Sequence, residues 1–237
     1  MKSIELGEIL KNIKLEICYH SYKGENIKTL LLTFEQAIIL SSNESFKKVK
    51  AICNIQAPPV FWGEIHKREF RFQILRDLNL KASNTAVLLT GADIERFGIA
   101  MEEFRDLKVC TIATAGMENA MRVGVDRAST FEINGKFEQI GTINIIILTN
   151  ATLSRSAMVG AIITATEGKV IALQDLNIKS RYSNNLATGT GTDSIIIASG
   201  ESKIKLRYAG GHTKLGEFIA RTASKAVKEA IENEVFN

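Results

Sequence analysis

The sequence predicts an α+β fold: a mixed β-sheet layered with helices in a single compact domain. Three observations carry that prediction. Apolar residues alternate or run together through residues 11–54. Short apolar runs recur at 85–90, 107–114 and 143–148. Two long segments, 153–176 and 213–234, space their apolar residues as helices do. Strands that come first in a run and later mix with helices fit an α+β layering. Residues 1–60 are therefore read as a β-rich front and the remainder as α/β, within one domain spanning 1–237.

Taken in order, Ile13, Leu15 and Ile17 alternate with Lys14, Glu16 and Cys18, the period of a half-buried strand. Thr29–Phe34 and Ala37–Ser41 read as two strands joined by a hairpin-like connection at Glu35-Gln36, and Phe46–Asn54 as a further strand. Pro58-Pro59 closes this region, because proline fixes φ and turns the preceding residue away from helix. His66–Leu80 places Phe70, Ile74 and Leu78 at helical spacing. Thr85–Thr90 is a short buried strand closed by Gly91, and Ala92–Phe104 is read as a short helix weakened by Gly98. A strand at Leu107–Thr114 follows, then a surface connection over Gly124–Gly141. Ile143–Leu148 is the most hydrophobic strand of the chain. Thr152 is read as the cap of the next helix, whose stripe is Met158, Ile162, Ala165, Ala172 and Leu176. The last helix gathers Leu215, Phe218, Ile219, Ala223, Val227 and Ile231 on one face.

Charge and cysteine usage narrow the function classes. The 30 basic and 26 acidic residues interleave without a basic block, which gives no argument for nucleic acid. Cys18, Cys53 and Cys110 are far apart and form no CxxC pair, as expected of reduced thiols. The N-terminal MKSIELGEIL carries acidic residues where a signal peptide needs an apolar core. Ile143–Leu148 is too short to span a bilayer. A soluble, cytoplasmic protein with no membrane partner is expected.

Polar chemistry concentrates in two glycine-bearing turns. The first, Thr188-Gly189-Thr190-Gly191-Thr192-Asp193, has the look of a phosphate cradle, since glycine lets backbone N–H groups approach an anion. It lacks the Gly-Lys-Ser/Thr ending of a P-loop and does not join a strand to a helix as the dinucleotide fingerprint requires. Its hydroxyls and N–H groups suit the amides or phosphates of a large ligand, while Asp193 either acts in the site or satisfies turn amides. In the second, Gly210-Gly211-His212-Thr213-Lys214, an imidazole stands at a helix start, where the dipole favours the neutral, base-competent form. A capping role is the alternative for His212. Lys214 opposes the helix dipole and calls for a partner such as Glu217. Asn150, at the end of the buried strand, is placed either to donate to a carbonyl oxygen or to cap. Glu167 lies either at a solvent edge or deliberately inside an apolar helix. His20 and His66 read as structural, and the three scattered histidines make no recognised ligand spacing, so no metal ligand is named.

These blocks resemble a known family. Thr142-Ile143-Asn144 with Asn150-Ala151, then 161–167 (AIITATE), 187–193 (ATGTGTD) and 208–217 (YAGGHTKLGE), look like the signature blocks of the adenosylcobinamide amidohydrolase (CbiZ) family. Thr114-Ala115-Gly116 through Asn119-Ala120 and Arg122-Val123-Gly124 are similar to an earlier block. The resemblance covers roughly residues 111–230. A glycine-rich turn would be expected after the early strands, and Ser41-Ser42-Asn43-Glu44 has no glycine. The resemblance implies corrinoid salvage, known in archaea and some bacteria. The amide between the aminopropanol arm and the corrin ring of adenosylcobinamide is hydrolysed, giving adenosylcobyric acid and 1-amino-2-propanol. The corrinoid is then substrate and not a prosthetic group, and no cofactor is named.

Amide hydrolysis needs an attacking oxygen, an oxyanion donor and an acid for the leaving amine. The expected catalytic set is His212 activating water, Lys214 and Glu217 orienting it, Asn150 or turn amides holding the oxyanion, and Asp193. The expected substrate surface is Thr188, Gly189, Thr190, Gly191, Thr192, Gly210, Gly211, Thr213 and Asn119. A threonine nucleophile, Thr190 or Thr213, is the competing mechanism. A non-catalytic corrinoid or nucleotide carrier using the same turns is the competing function.

Overall fold

The computed structural model describes residues 2–61, 68–128 and 142–236. Four strands come first: β1 (Lys2–Leu10), β2 (Ile13–Tyr22), β3 (Glu25–Ser41) and β4 (Ser45–Gln56). Tight turns join them, with Asn12, Lys23, Gly24 and Ser45 at positive φ. Helix α1 (Arg68–Asp77) and strands β5 (Thr85–Thr90), β6 (Gly98–Phe104) and β7 (Leu107–Ala115) follow. The rest is β8 (Ile143–Thr149), β9 (Thr152–Leu153), α2 (Arg155–Asp175), β10 (Ser194–Ser199), β11 (Lys205–Leu206) and α3 (Lys214–Phe236).

The fold is α+β, and one mixed sheet carries it. Nine strands hydrogen-bond in a single sheet, ordered β1-β2-β3-β10-β8-β7-β6, with β4 on the other edge of β3 and β5 beyond β4. The pivot is β3. Its first half pairs with β2 and its last four residues pair with β10. Between Thr33 and Ala37 it advances four residues while β4 advances two, from Ala51 to Val49. Such an excess bends a strand and steepens its twist, and here it lets the front of the sheet fold over the back.

The alternation of side chains then fixes the layers. On β8, Ile143, Ile145 and Ile147 face α2 and α3, where they meet Ala157, Met158, Ala161, Phe218 and Ala223. Ile146 and Leu148 point the other way, into a middle core with Leu30, Leu32, Ile52 and Leu88 of the front strands. The outer face of those front strands carries Tyr22, Cys53 and Ile55 against Phe70 and Ile74 of α1. The order is helix, sheet, sheet, helix, and β8 is buried on both faces.

Several expectations are corrected. Glu35-Gln36 lies inside the continuous strand β3, exposed at its bulge, and is not a hairpin. Residues 98–104, read as helix, form the edge strand β6 paired along β7. Its Gly98 lies directly under the Ala226 carbonyl of α3, where a Cβ would overlap backbone, so tertiary pairing overrides the helical preference of Ala100, Met101 and Glu102. The residue that caps α2 is Ser154, whose hydroxyl accepts the Ala157 N–H at 3.1 Å. Thr152 instead belongs to β9, paired with Lys205 of β11. Glu167 is exposed. His66 and most of the 124–141 connection lie outside the described residues. Helix α2 is long and apolar enough to cross a membrane by length and composition, and half of that stretch is buried inside this protein.

Candidate functional site

Buried polar groups gather at one end of the sheet, where β8 and β10 begin and β7 ends. Thr114, Asn119, Thr142, Asn144, Lys169, Thr190 and Ser194 are all buried there. Thr114 and Asn144 bond to Asn54, at 2.9 and 2.7 Å, while Lys169 and Thr190 gather on Asp193. Its carboxylate accepts the Thr190 hydroxyl at 2.6 Å and the Thr190 N–H at 3.1 Å, together with the Ile143 N–H at 3.2 Å. It also pairs with the ammonium of Lys169, whose side chain is 8% exposed against 13% for Asp193. The anion in this cradle is thus the chain's own carboxylate.

The local sequence explains the geometry. Gly189 has no Cβ because one would overlap both Asp193 Oδ2 and Lys169 Nζ. Gly191 takes φ 83°, a left-handed conformation that favours glycine. The Thr142 hydroxyl donates to the Thr192 carbonyl at 2.8 Å, fastening the turn to the entrance of β8. On the other side, Met121 N–H donates to the Gly189 carbonyl at 2.8 Å and Thr188 N–H to the Met121 carbonyl at 2.9 Å. The Thr188 hydroxyl accepts the Val123 N–H at 3.0 Å. Asp126 completes this clasp by accepting the Ser180 hydroxyl at 2.6 Å and the Arg122 N–H at 2.5 Å. The Ser180 hydrogen bond, then that from Arg122, holds the Asp126 carboxyl below its usual range. Of the turn itself, Gly191 is exposed and Thr188, Thr192 and Asp193 are half-buried, so its outer rim faces solvent.

The second turn stands elsewhere. Thr213, not His212, caps α3: its hydroxyl accepts the Gly216 N–H at 3.0 Å and donates to the Gly210 carbonyl at 2.8 Å. Gly216 lies tight on Gly210, with no room for a side chain. His212 and Gly211 are exposed. Lys214 finds the partner its position calls for in Glu217, at 2.6 Å, and Arg221 adds a second contact to that carboxylate at 2.9 Å. The Lys214 hydrogen bond, with help from Arg221, holds the Glu217 carboxyl below its usual range. The Lys214 ammonium also lies 5.4 Å from the Phe104 and Phe218 ring centres. Neither Lys214 nor Glu217 forms a hydrogen bond or ion pair with His212.

Asn150 is committed to backbone. Its Oδ1 accepts the Lys108 N–H at 2.9 Å and its Nδ2 donates to the Asp106 carbonyl at 2.6 Å, clamping the β6–β7 turn. It follows the last residue of β8, whereas Asp193 binds the first. A strand of that length separates them by roughly 20 Å. The structure therefore brings Asp193 together with Thr188–Thr192 and with the loop that carries Asn119. Lys214, beside Phe104 of the β6–β7 turn, and Asn150 fall at the opposite end. Among the described residues, no three His, Cys, Asp or Glu side chains converge as a metal site needs.

Sequence reasoning missed Lys169 and the Thr142 hydroxyl. Lys169 had a legible signal: it lies four residues after Ala165, on the buried stripe of α2, where a charge is costly without a partner.

Similarity to known proteins agrees with the blocks that carry these residues. The model of the adenosylcobinamide amidohydrolase family, CbiZ, matches residues 16–235. The chain belongs to that family. Its members are enzymes acting on an amide. An uncharacterised protein of Methanocaldococcus jannaschii is 40% identical over 222 residues, covering 87% of each chain. A Methanosarcina mazei protein named adenosylcobinamide amidohydrolase is 28% identical over 206 residues, covering 83% of this chain and 90% of that one. Among solved structures, the PH0078 protein of Pyrococcus horikoshii superposes with a TM-score of 0.47 at 12% identity, covering 94% of this chain and 84% of that one. An L-aminopeptidase D-Ala-esterase/amidase of Ochrobactrum anthropi gives 0.47 at 9% identity, covering 93% and 83%.

Proposed function

We propose that this amidohydrolase cleaves the amide joining the aminopropanol arm to the corrin ring of adenosylcobinamide. Water adds, the C–N bond breaks, and adenosylcobyric acid and 1-amino-2-propanol leave, so that scavenged corrinoid re-enters cobamide synthesis. The observation that carries this reading is the family match across residues 16–235.

The chemistry is assigned to the Asp193 turn. There the Lys169 ammonium supplies positive charge for the developing oxyanion, and Asp193 takes a proton from the attacking oxygen and returns it to the departing amine nitrogen. That oxygen is either water or the Thr190 hydroxyl, which already donates to Asp193 at 2.6 Å; if Thr190 attacks, the amine leaves first and water then hydrolyses the Thr190 ester to free the acid. Thr213 has no such acceptor, its hydroxyl being spent on a helix cap. Thr188, Gly191 and Thr192 form the surface for the substrate's amides, with Gly189 and Asn119 buried behind them. A second reading keeps His212 as the general base, with Gly210, Gly211 and Thr213 beside it. It is favoured by an exposed imidazole at the start of a 23-residue helix.

The test is a dark, anaerobic incubation with adenosylcobinamide, read by liquid chromatography and mass spectrometry. Both products are expected from the wild type. Lys169→Met should lower kcat about a hundredfold, while His212→Ala stays within about fivefold. Loss of turnover in a folded His212→Ala protein would move the base to the second turn. Tight binding without product would make the protein a carrier, and neither binding nor product would end the reading.

A further inference from the structure

Helix α2 is apolar on more than its core face. Val159 is 50% exposed and Ile163, one turn later, is 59% exposed. Exposed apolar patches rimmed by polar residues mark interaction sites and ligand grooves. Across from them stands the β3–β4 turn, and the two enclose an open groove of about 710 Å³. One wall is Val159, Ile162 and Ile163. The other is a short row of hydroxyl and amide side chains, including Ser42, Asn43 and Ser45.

The groove is uncharged in effect. Its one ionisable residue, Glu44, is consumed by Lys47 at 2.7 Å, Arg71 at 2.9 Å and the Val87 N–H at 2.8 Å. The turn is also rigidly joined to the Asp193 region. Asn43 Nδ2 donates to the Ser194 hydroxyl at 3.0 Å, and the Ile195 N–H donates to the Ser42 hydroxyl at 3.1 Å. Ser194 is the residue next to Asp193. A ligand in the groove would therefore lie beside the polar end of the sheet.

We infer that this groove seats the rim of the substrate's corrin macrocycle, its ring methyl groups on Val159, Ile162 and Ile163 and its carboxamides on Ser42, Asn43 and Ser45. The assignment rests on the proposed function, and it makes these residues determinants of specificity for the ring. The chemistry matches on both walls: a ring rim that carries methyl groups beside carboxamides meets one aliphatic wall and one wall of small donors and acceptors. A second copy of the chain fits less well. Three aliphatic side chains bury on the order of 300 Å², well short of the roughly 800 Å² per partner in a standard interface. The glycine-free turn is consistent with this role, since its side chains, and not bare backbone, line the wall.

The experiment uses adenosylcobyric acid, which has the ring and lacks the arm, in equilibrium dialysis read by corrin absorbance. KM and kcat for adenosylcobinamide are measured in parallel. Wild type should bind the arm-less corrinoid. Ile163→Asp should weaken that binding about tenfold and raise KM to match, with kcat within about twofold. The milder Val159→Ser/Ile163→Ser protein guards against a folding defect and should shift KM in the same direction. Turnover by wild type with KM and binding unchanged in both variants would overturn the groove and leave the proposed function standing. A wild-type dimer that Ile163→Asp converts to monomer without changing KM would reassign the face to self-association and overturn it as well. A wild type that neither binds nor turns over corrinoid would remove the proposed function itself.

Discussion

The ammonium of Lys169 and the carboxylate of Asp193 form an ion pair withdrawn from solvent, between the third quarter of α2 and the turn that enters β10. Two segments separated by 24 residues are thereby locked to the start of the central strand β8, because Asp193 also holds the Ile143 N–H. The pair is a structural pin and the charged centre of the proposed site at once.

Breaking the pin should be costly, because a buried charge left without its partner forfeits its compensation. Lys169→Met is expected to lower unfolding free energy by about 3 kcal/mol. Asp193→Ala should cost more, since it also strips the Thr190 and Ile143 amides of their acceptor. Urea unfolding of both single variants and of the double variant would check this. Additive losses would show that the two side chains are not coupled.

Gly168→Ala sets two effects against each other. Alanine favours helix over glycine by about 1 kcal/mol. Here, however, a Cβ would overlap the Ala220 carbonyl where α2 crosses α3, and overpacking costs about 1–3 kcal/mol. The overlap is with backbone, which cannot step aside, so a lower melting temperature is expected. A higher one would mean that the two helices can separate freely.

His20 should make the protein acid-sensitive. It is buried in β2, with Nε2 2.9 Å from the Thr29 hydroxyl, and burial lowers its pKa while the more distant Asp77 partly opposes. The folded state thus prefers neutral imidazole, whereas the unfolded chain protonates near pH 6.5. Below that pH the unfolded state binds a proton that the folded state refuses, so stability present at neutral pH is lost as pH falls. Urea midpoints from pH 7.5 down to about 5 should decline, and His20→Gln should flatten that part of the curve. An unchanged slope in the variant would assign the acid loss to other groups.

What was legible in the sequence and what was not divide along physical lines. The strands read at 85–90, 107–114 and 143–148 were legible because burial on both faces leaves short runs dominated by apolar residues. Helices α2 and α3 were readable from their apolar stripes. β6 was not, because an edge strand half-exposed to water carries Ala, Met and Glu, which prefer helix in isolation. The bulge of β3 was read as a turn for a similar reason: polar Glu35 and Gln36 look alike whether they end a strand or bend it.

The site divided in the same way. The order of small and hydroxyl residues in 188–193 and the family blocks around it could be read directly, since backbone freedom at glycine and hydrogen-bonding capacity belong to the residues themselves. Which groups meet could not. The sequence reading puts Asn150 and Asp193 in one catalytic set, yet one follows the last residue of β8 and the other binds its first. Lys169 enters the site because α2 runs back along the sheet and returns its later turns to the start of β8. Apolar periodicity determined the fold class and most of the elements, and the signature blocks determined the family. Only the tertiary structure decided which charges are buried together, because that depends on strand order and on the bend in β3, which no local pattern encodes.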